Sequence, residues 1–101
     1  MTPFSVGVLP SPAAPAFELA QNVPNPVRSS TRFDLSLATA AHVELEAFDL
    51  QGRRVATLLA ADLPAGPRSV AWRPDGLGAG LYLVRLQSGG RAATRKVLLI
   101  R

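Results

Sequence analysis

From Phe17 onward, apolar and polar residues alternate in short runs separated by turn-forming residues. Thr31-Arg-Phe-Asp-Leu-Ser-Leu37 is the clearest run. Phe33, Leu35 and Leu37 fall on one side and Arg32, Asp34 and Ser36 on the other, the two-residue period of a half-buried strand. His42-Val-Glu-Leu-Glu-Ala-Phe48 repeats the pattern with Val43, Leu45 and Ala47 on the apolar side. Phe17–Gln21 reads as a strand before it, and Asn22-Val-Pro-Asn-Pro26 as a turn that two prolines keep out of any helix. Asp49–Gly52 turns the chain into Arg54–Leu59, its hairpin partner. Asp62–Gly66 is a further turn, followed by Arg68–Trp72, which places Val70 and Trp72 on one face. Pro74-Asp75-Gly76 closes that strand. Residues 80–101 form the last hairpin, with Ser88-Gly89-Gly90 between its arms; Gly-Gly supplies the positive φ angles of a two-residue turn.

Seven strands at about 8–12-residue spacing, without a helical period, predict an all-β fold. The expected architecture is a seven-stranded antiparallel immunoglobulin-like β-sandwich. Ala38–Ala41 is expected to be a loop. Tyr82, near the start of the sixth strand, is positioned for a tyrosine corner, in which the hydroxyl turns back to the backbone. Tyr82, Val84 and Leu86 then face the core with Trp72. Leu81 and Leu83 fall on the opposite face beside Arg85; with Leu98 and Ile100 they form either an apolar docking patch or a surface covered by a neighbouring loop.

Upstream, Leu9–Ala16 reads as an extended, Pro-rich tether. Phe4-Ser-Val-Gly-Val8 before it alternates, with Phe4, Val6 and Val8 on one side. It is either a loose end or a strand for donation to a neighbouring molecule. The expected division is therefore 1–16 as linker or donor strand and 17–101 as the domain. Met1-Thr-Pro-Phe-Ser lacks the basic start of a signal peptide, and Pro10, Pro12 and Pro15 break up the residues after it. The chain is expected to be either cytoplasmic or a piece of a longer secreted protein. No run approaches the ~20 apolar residues that span a bilayer, so no transmembrane segment is expected.

The 101 residues make one domain, with a core built mainly from Val, Leu and Ala. The net charge is +4, and ten of the eleven cations are Arg. They are scattered along the chain with few aromatics between them, which argues against nucleic-acid binding. There is no cysteine, hence no disulfide or thiolate chemistry. Catalytic chemistry is equally sparse. His42, Glu44 and Glu46 share one strand face and would approximate a metal-ligand row, but as a polar face opposite Val43, Leu45 and Ala47 they need no metal. Gly76-Leu-Gly-Ala-Gly80 resembles a phosphate loop but leads into a strand rather than a helix. Neither an enzyme nor a cofactor or metal protein is expected.

The ordered series Phe17-Glu-Leu-Ala-Gln-Asn-Val-Pro-Asn-Pro26, Thr31–Leu35, Val43–Val55, Ala65-Gly66, Val70–Trp72, Ala79–Tyr82 and Arg95–Arg101 resembles the type A C-terminal sorting domain of type IX secretion cargo. It also resembles the immunoglobulin-like domain of the flagellar hook-capping protein. The resemblance covers residues 17–101. It implies a non-catalytic sorting and anchoring domain, gripped by the outer-membrane translocon and then by surface attachment proteins. The implied location is extracellular or on the outer-membrane surface, reached through the periplasm. The implied partner-binding residues are Pro24, Asn25 and Pro26 of the turn, Gly80 and Tyr82, and the terminal Lys96, Val97, Leu98, Leu99, Ile100 and Arg101. The aromatic usual after the second proline is Val27 here, and the 101 residues do not include the large cargo domain that the resemblance leads one to expect before the tether. The rival expectations are a self-assembling fibre or surface-layer subunit that uses N-terminal strand addition, and a hook-cap-like scaffold.

Overall fold

The computed structural model describes residues 16–100. Phe4, Val6 and Val8, the tether up to Pro15, and Arg101 lie outside the described residues. The described chain forms strands β1 (Phe17–Leu19), β2 (Thr31–Leu37), β3 (Ala41–Phe48), β4 (Arg54–Leu63), β5 (Gly66–Trp72), β6 (Gly80–Ser88) and β7 (Arg91–Leu99). They build two antiparallel sheets, ordered β1-β2-β5 and β4-β3-β6-β7, in agreement with the expected sandwich.

The alternation does what its period requires. Phe33, Leu35 and Leu37 of β2, Val43, Leu45 and Ala47 of β3, Tyr82, Val84 and Leu86 of β6, and Val97 and Leu99 of β7 are buried together between the sheets. The Phe33 and Trp72 rings meet in a tilted pair with centroids 6.4 Å apart. Each such aliphatic or aromatic side chain contributes roughly 1.5–3 kcal/mol by leaving water. This core fixes the strand positions on which the outer faces depend.

β4 departs from the expected boundaries, and the cause is bulging. Leu45 stands opposite Leu59 but Glu46 opposite Thr57, so Leu58 is an extra residue. Ala47 stands opposite Ala56 but Phe48 opposite Arg54, so Val55 is another. Each bulge turns two successive residues toward the interior. Val55, Ala56, Leu58 and Leu59 all pack against the core as a result. Pairing with Ala41–Leu45 then carries β4 on to Leu63, past its expected end at Leu59. The turn shrinks to Pro64-Ala65, and β5 starts at Gly66 rather than Arg68. At the other boundary, β1 stops at Leu19, although Ala20 N–H still donates to the Asp34 carbonyl at 2.9 Å.

Two turns match their sequence signals. Gly89 and Gly90 adopt φ of 57° and 79° between Ser88 and Arg91, which face each other across the hairpin. Tyr82 Oη donates to the Gly78 carbonyl at 2.6 Å, which ties the entry of β6 to the preceding loop. Tyr82→Phe keeps the ring and loses only this bond. It is expected to lower unfolding free energy by about 1 kcal/mol in urea titration, without change in far-UV circular dichroism.

Candidate docking site

The residues singled out in the sequence lie far apart along the chain, and the sheet register gathers them at one end of the sandwich. Gly80 pairs with Leu99, Leu81 with Leu98 and Tyr82 with Val97. On the other side of β7, the stretch after β1 crosses from one sheet to the other and runs parallel to the last strand, with Val27 bridged to Leu99. Val27 N–H donates to the Leu98 carbonyl at 2.7 Å, and Ile100 N–H donates to the Val27 carbonyl at 2.8 Å. Leu98 N–H donates to Asn25 Oδ1 at 3.0 Å. Gln21 Nε2 donates to the Lys96 carbonyl at 2.8 Å, and Arg95 Nε reaches back to the Leu19 carbonyl at 2.8 Å. The outer edge of the last strand from Lys96 to Ile100 is therefore clamped.

The turn that makes the clamp is held from within. Both Val23-Pro24 and Asn25-Pro26 are cis. Asn22 Nδ2 donates to the Pro24 carbonyl at 3.0 Å and to Thr31 Oγ1 at 2.9 Å, and the Thr31 hydroxyl donates to the same Pro24 carbonyl at 2.9 Å. Asn22 and Thr31 are buried. These bonds, together with Gln21 Nε2 donating to Asn22 Oδ1 at 2.7 Å, satisfy their polar groups, as a buried amide and hydroxyl require. Sequence reasoning missed Gln21, Asn22 and Thr31. An Asn beside a Pro-containing turn and a Thr opening a strand were the available signals.

Burial divides the expected partner-binding residues. Tyr82, Val97 and Leu99 belong to the core, and Gly80 (φ 149°) shapes the entry of β6. Pro24, Asn25, Pro26, Lys96 and Leu98 are exposed side by side, with Ile100 half-buried beside them. Val27 is fully buried, so its smaller side chain is a packing element.

The outer face of the four-stranded sheet corrects one expectation. Glu46 is not a solvent-facing ligand candidate: it is 6% exposed, between two guanidinium groups. Arg54 Nη1 lies 2.9 Å from Glu46 Oε2, and Arg85 Nη2 lies 3.4 Å from Oε1. The arginines come from the neighbouring strands β4 and β6, which flank Glu46 in register. A carboxylate taken from water there needs both partners. His42 pairs instead with Asp62 and Glu44, with Nδ1 2.8 Å from Asp62 and Nε2 3.5 Å from Glu44. The row of potential ligands is thus split, and no group of three or more His, Cys, Asp or Glu fit to hold a metal occurs among the described residues. No helix among them is long and apolar enough to cross a membrane.

The hydrogen bond to Asp62 is the main cause holding the His42 imidazolium above its ordinary 6.5, with Glu44 adding to it against partial desolvation. Asp49 is lowered first by the Arg53 backbone N–H, and Asp34 first by the Ser69 hydroxyl at 2.5 Å. Protonated His42 favours the fold, so its contribution is complete below pH 6.5 and fades as pH rises through the elevated folded-state value. Titration of its ring protons by NMR should give a midpoint above 6.5, which Asp62→Asn moves down.

Asn25→Ala should cost about 1 kcal/mol and speed hydrogen exchange at the Leu98 amide, while the β3 amides keep their protection pattern.

The class defined by this fold is a β-sandwich of immunoglobulin type whose last strand is paired on both sides. Comparison with known proteins narrows it. The profile of the secretion system C-terminal sorting domain matches residues 23–100. The chain belongs to that family, the sorting domains of type IX secretion. No curated protein sequence matches the chain. Among solved structures, dimeric latent PorU from Porphyromonas gingivalis is similar in fold, with a TM-score of 0.73 and 24% identity. The match covers 91% of this chain and 10% of that one, so the chain spans only a small part of that protein's length.

Proposed function

We propose that the chain is the non-catalytic address of an exported protein, read by the outer-membrane translocon and then used for attachment at the cell surface. The observation that carries this reading is the convergence of the Pro24-Asn25-Pro26 turn, the start of β6 and the end of β7 on one rigid edge. Gripping needs a preorganised surface, and the clamp supplies one. It fixes the last strand before any partner arrives, so little ordering entropy opposes docking. The contact residues are the exposed members of that edge, Pro24, Asn25, Pro26, Lys96 and Leu98, with half-buried Ile100 beside them; Arg101, also expected to take part, lies outside the described residues. Gly80, Tyr82, Val97 and Leu99 act beneath them, holding the edge in shape. The clamp occupies the main-chain groups of the Lys96–Ile100 edge. Recognition there proceeds through side chains and the turn rather than through strand addition.

The test is export of a reporter fused to the full chain in a host with type IX secretion. The fusion is expected at the cell surface or in the medium. Lys96→Glu combined with Leu98→Ser alters only exposed side chains and should reduce export about tenfold with an unchanged thermal melt. Unaltered export of this variant refutes the assignment of the edge.

A further inference from the structure

The outer face of the four-stranded sheet carries a second surface, beside the clamped edge. Leu81 and Leu98 are cross-strand partners, 37% and 41% exposed, and Leu83 continues the row toward Phe48, its register partner on β3. Beyond Phe48, the β3–β4 turn presents Leu50, 65% exposed. Between Phe48, Leu50, Leu83 and Thr94 lies a shallow cleft of about 290 Å³ floored by Arg85. Large apolar side chains do not gather on an exposed sheet face by packing need alone.

Arg85 gives the cleft its chemistry. Its guanidinium carbon lies 4.6 Å from the centroid of the Phe48 ring, which holds the cation in place. Of the two arginines on Glu46, Arg54 makes the short contact, 2.9 Å, and Arg85 the long one, 3.4 Å. The Arg85 Nε–H is buried without an acceptor. The cluster of Arg54, Glu46 and Arg85 carries one net positive charge, and Lys96 stands exposed next to Leu83. Asp49 at the rim is already taken by Arg53, 3.0 Å away. The cleft is apolar at its walls, cationic at its floor and short of acceptors.

We propose that this face docks an extended segment of a partner protein in which a carboxylate side chain neighbours apolar ones. The apolar side chain fills the space between Phe48, Leu50 and Leu83, and the carboxylate pairs with Arg85, the under-partnered cation of the cluster. The proposal deepens the sorting reading by naming the partner's chemistry, and it rests on that reading for the partner's identity as part of the export apparatus.

The experiment is NMR titration of the isotope-labelled full chain with acetyl-Val-Asp-Leu-Asp-Val-amide, and separately with acetyl-Val-Lys-Leu-Lys-Val-amide. The aspartate peptide should give saturable shifts at Phe48, Leu50, Leu83, Arg85 and Thr94 that weaken as salt is raised, and the lysine peptide none. Arg85→Gln should weaken binding about tenfold. Leu50→Ser, in an exposed turn where folding is not at stake, should weaken it about fivefold. Equal response to both peptides, no response at millimolar concentration, or shifts confined to other residues overturns the proposal. Shifts at these same residues on raising protein concentration alone make a second copy the occupant and also overturn it. Reporter export that persists while peptide binding fails rejects this surface alone; lost export with intact peptide binding rejects the sorting reading instead.

Discussion

The structure depends on one set of hydrogen bonds, those by which the Val27 main chain and the Asn25 side chain hold Leu98 and Ile100. A four-stranded sheet ending on an unpaired strand exposes a row of donors and acceptors, and such an edge invites pairing with any other chain. Here the edge is closed by the segment that enters from the opposite sheet. The same bonds tie the segment after β1 to the last strand of the opposite sheet, above the core residues Val27, Val97 and Leu99. Asn22 and Thr31, buried and mutually satisfied, keep the turn in the shape that lets Asn25 reach.

The other edges are managed by different means. β1 is short, β5 carries Pro67 and Arg68 near its start, and β4 is bulged at Leu58 and Val55. Short strands, proline, charge and bulges all discourage edge pairing. A sandwich so treated offers few free main-chain groups at its edges, and its exposed apolar side chains Leu81, Leu98 and Leu50 lie on β6, β7 and the β3–β4 turn.

Much of this was legible in the sequence. The strict alternation of Thr31–Leu37 and Leu81–Leu86 defined which residues face inward, because a strand's period leaves no choice once one face is apolar. Gly89-Gly90 and Tyr82 announced their turns by local chemistry. β4 was less legible, since Val-Ala-Thr-Leu-Leu does not alternate and bulges follow from tertiary packing. Glu46 was misread as solvent-facing because its two guanidinium partners, Arg54 and Arg85, come from different strands. The resemblance to sorting domains singled out residues that the fold gathers at one end of the sandwich. It did not separate Val97 and Leu99, which are core, from Lys96 and Leu98, which are surface; that division needs only the strand period, applied from Tyr82 across to its partner Val97.

The bond from Leu98 to Asn25 joins residues 73 positions apart in sequence. Contacts of such separation are late and slow to form, since the loop between them must close first. A chain interrupted anywhere short of Leu98 has neither the centre of this three-way pairing nor Leu99, which seals the core beneath it. The finished surface therefore exists only once β7 is in place, because that strand supplies both the partner of the turn and part of the core beneath it.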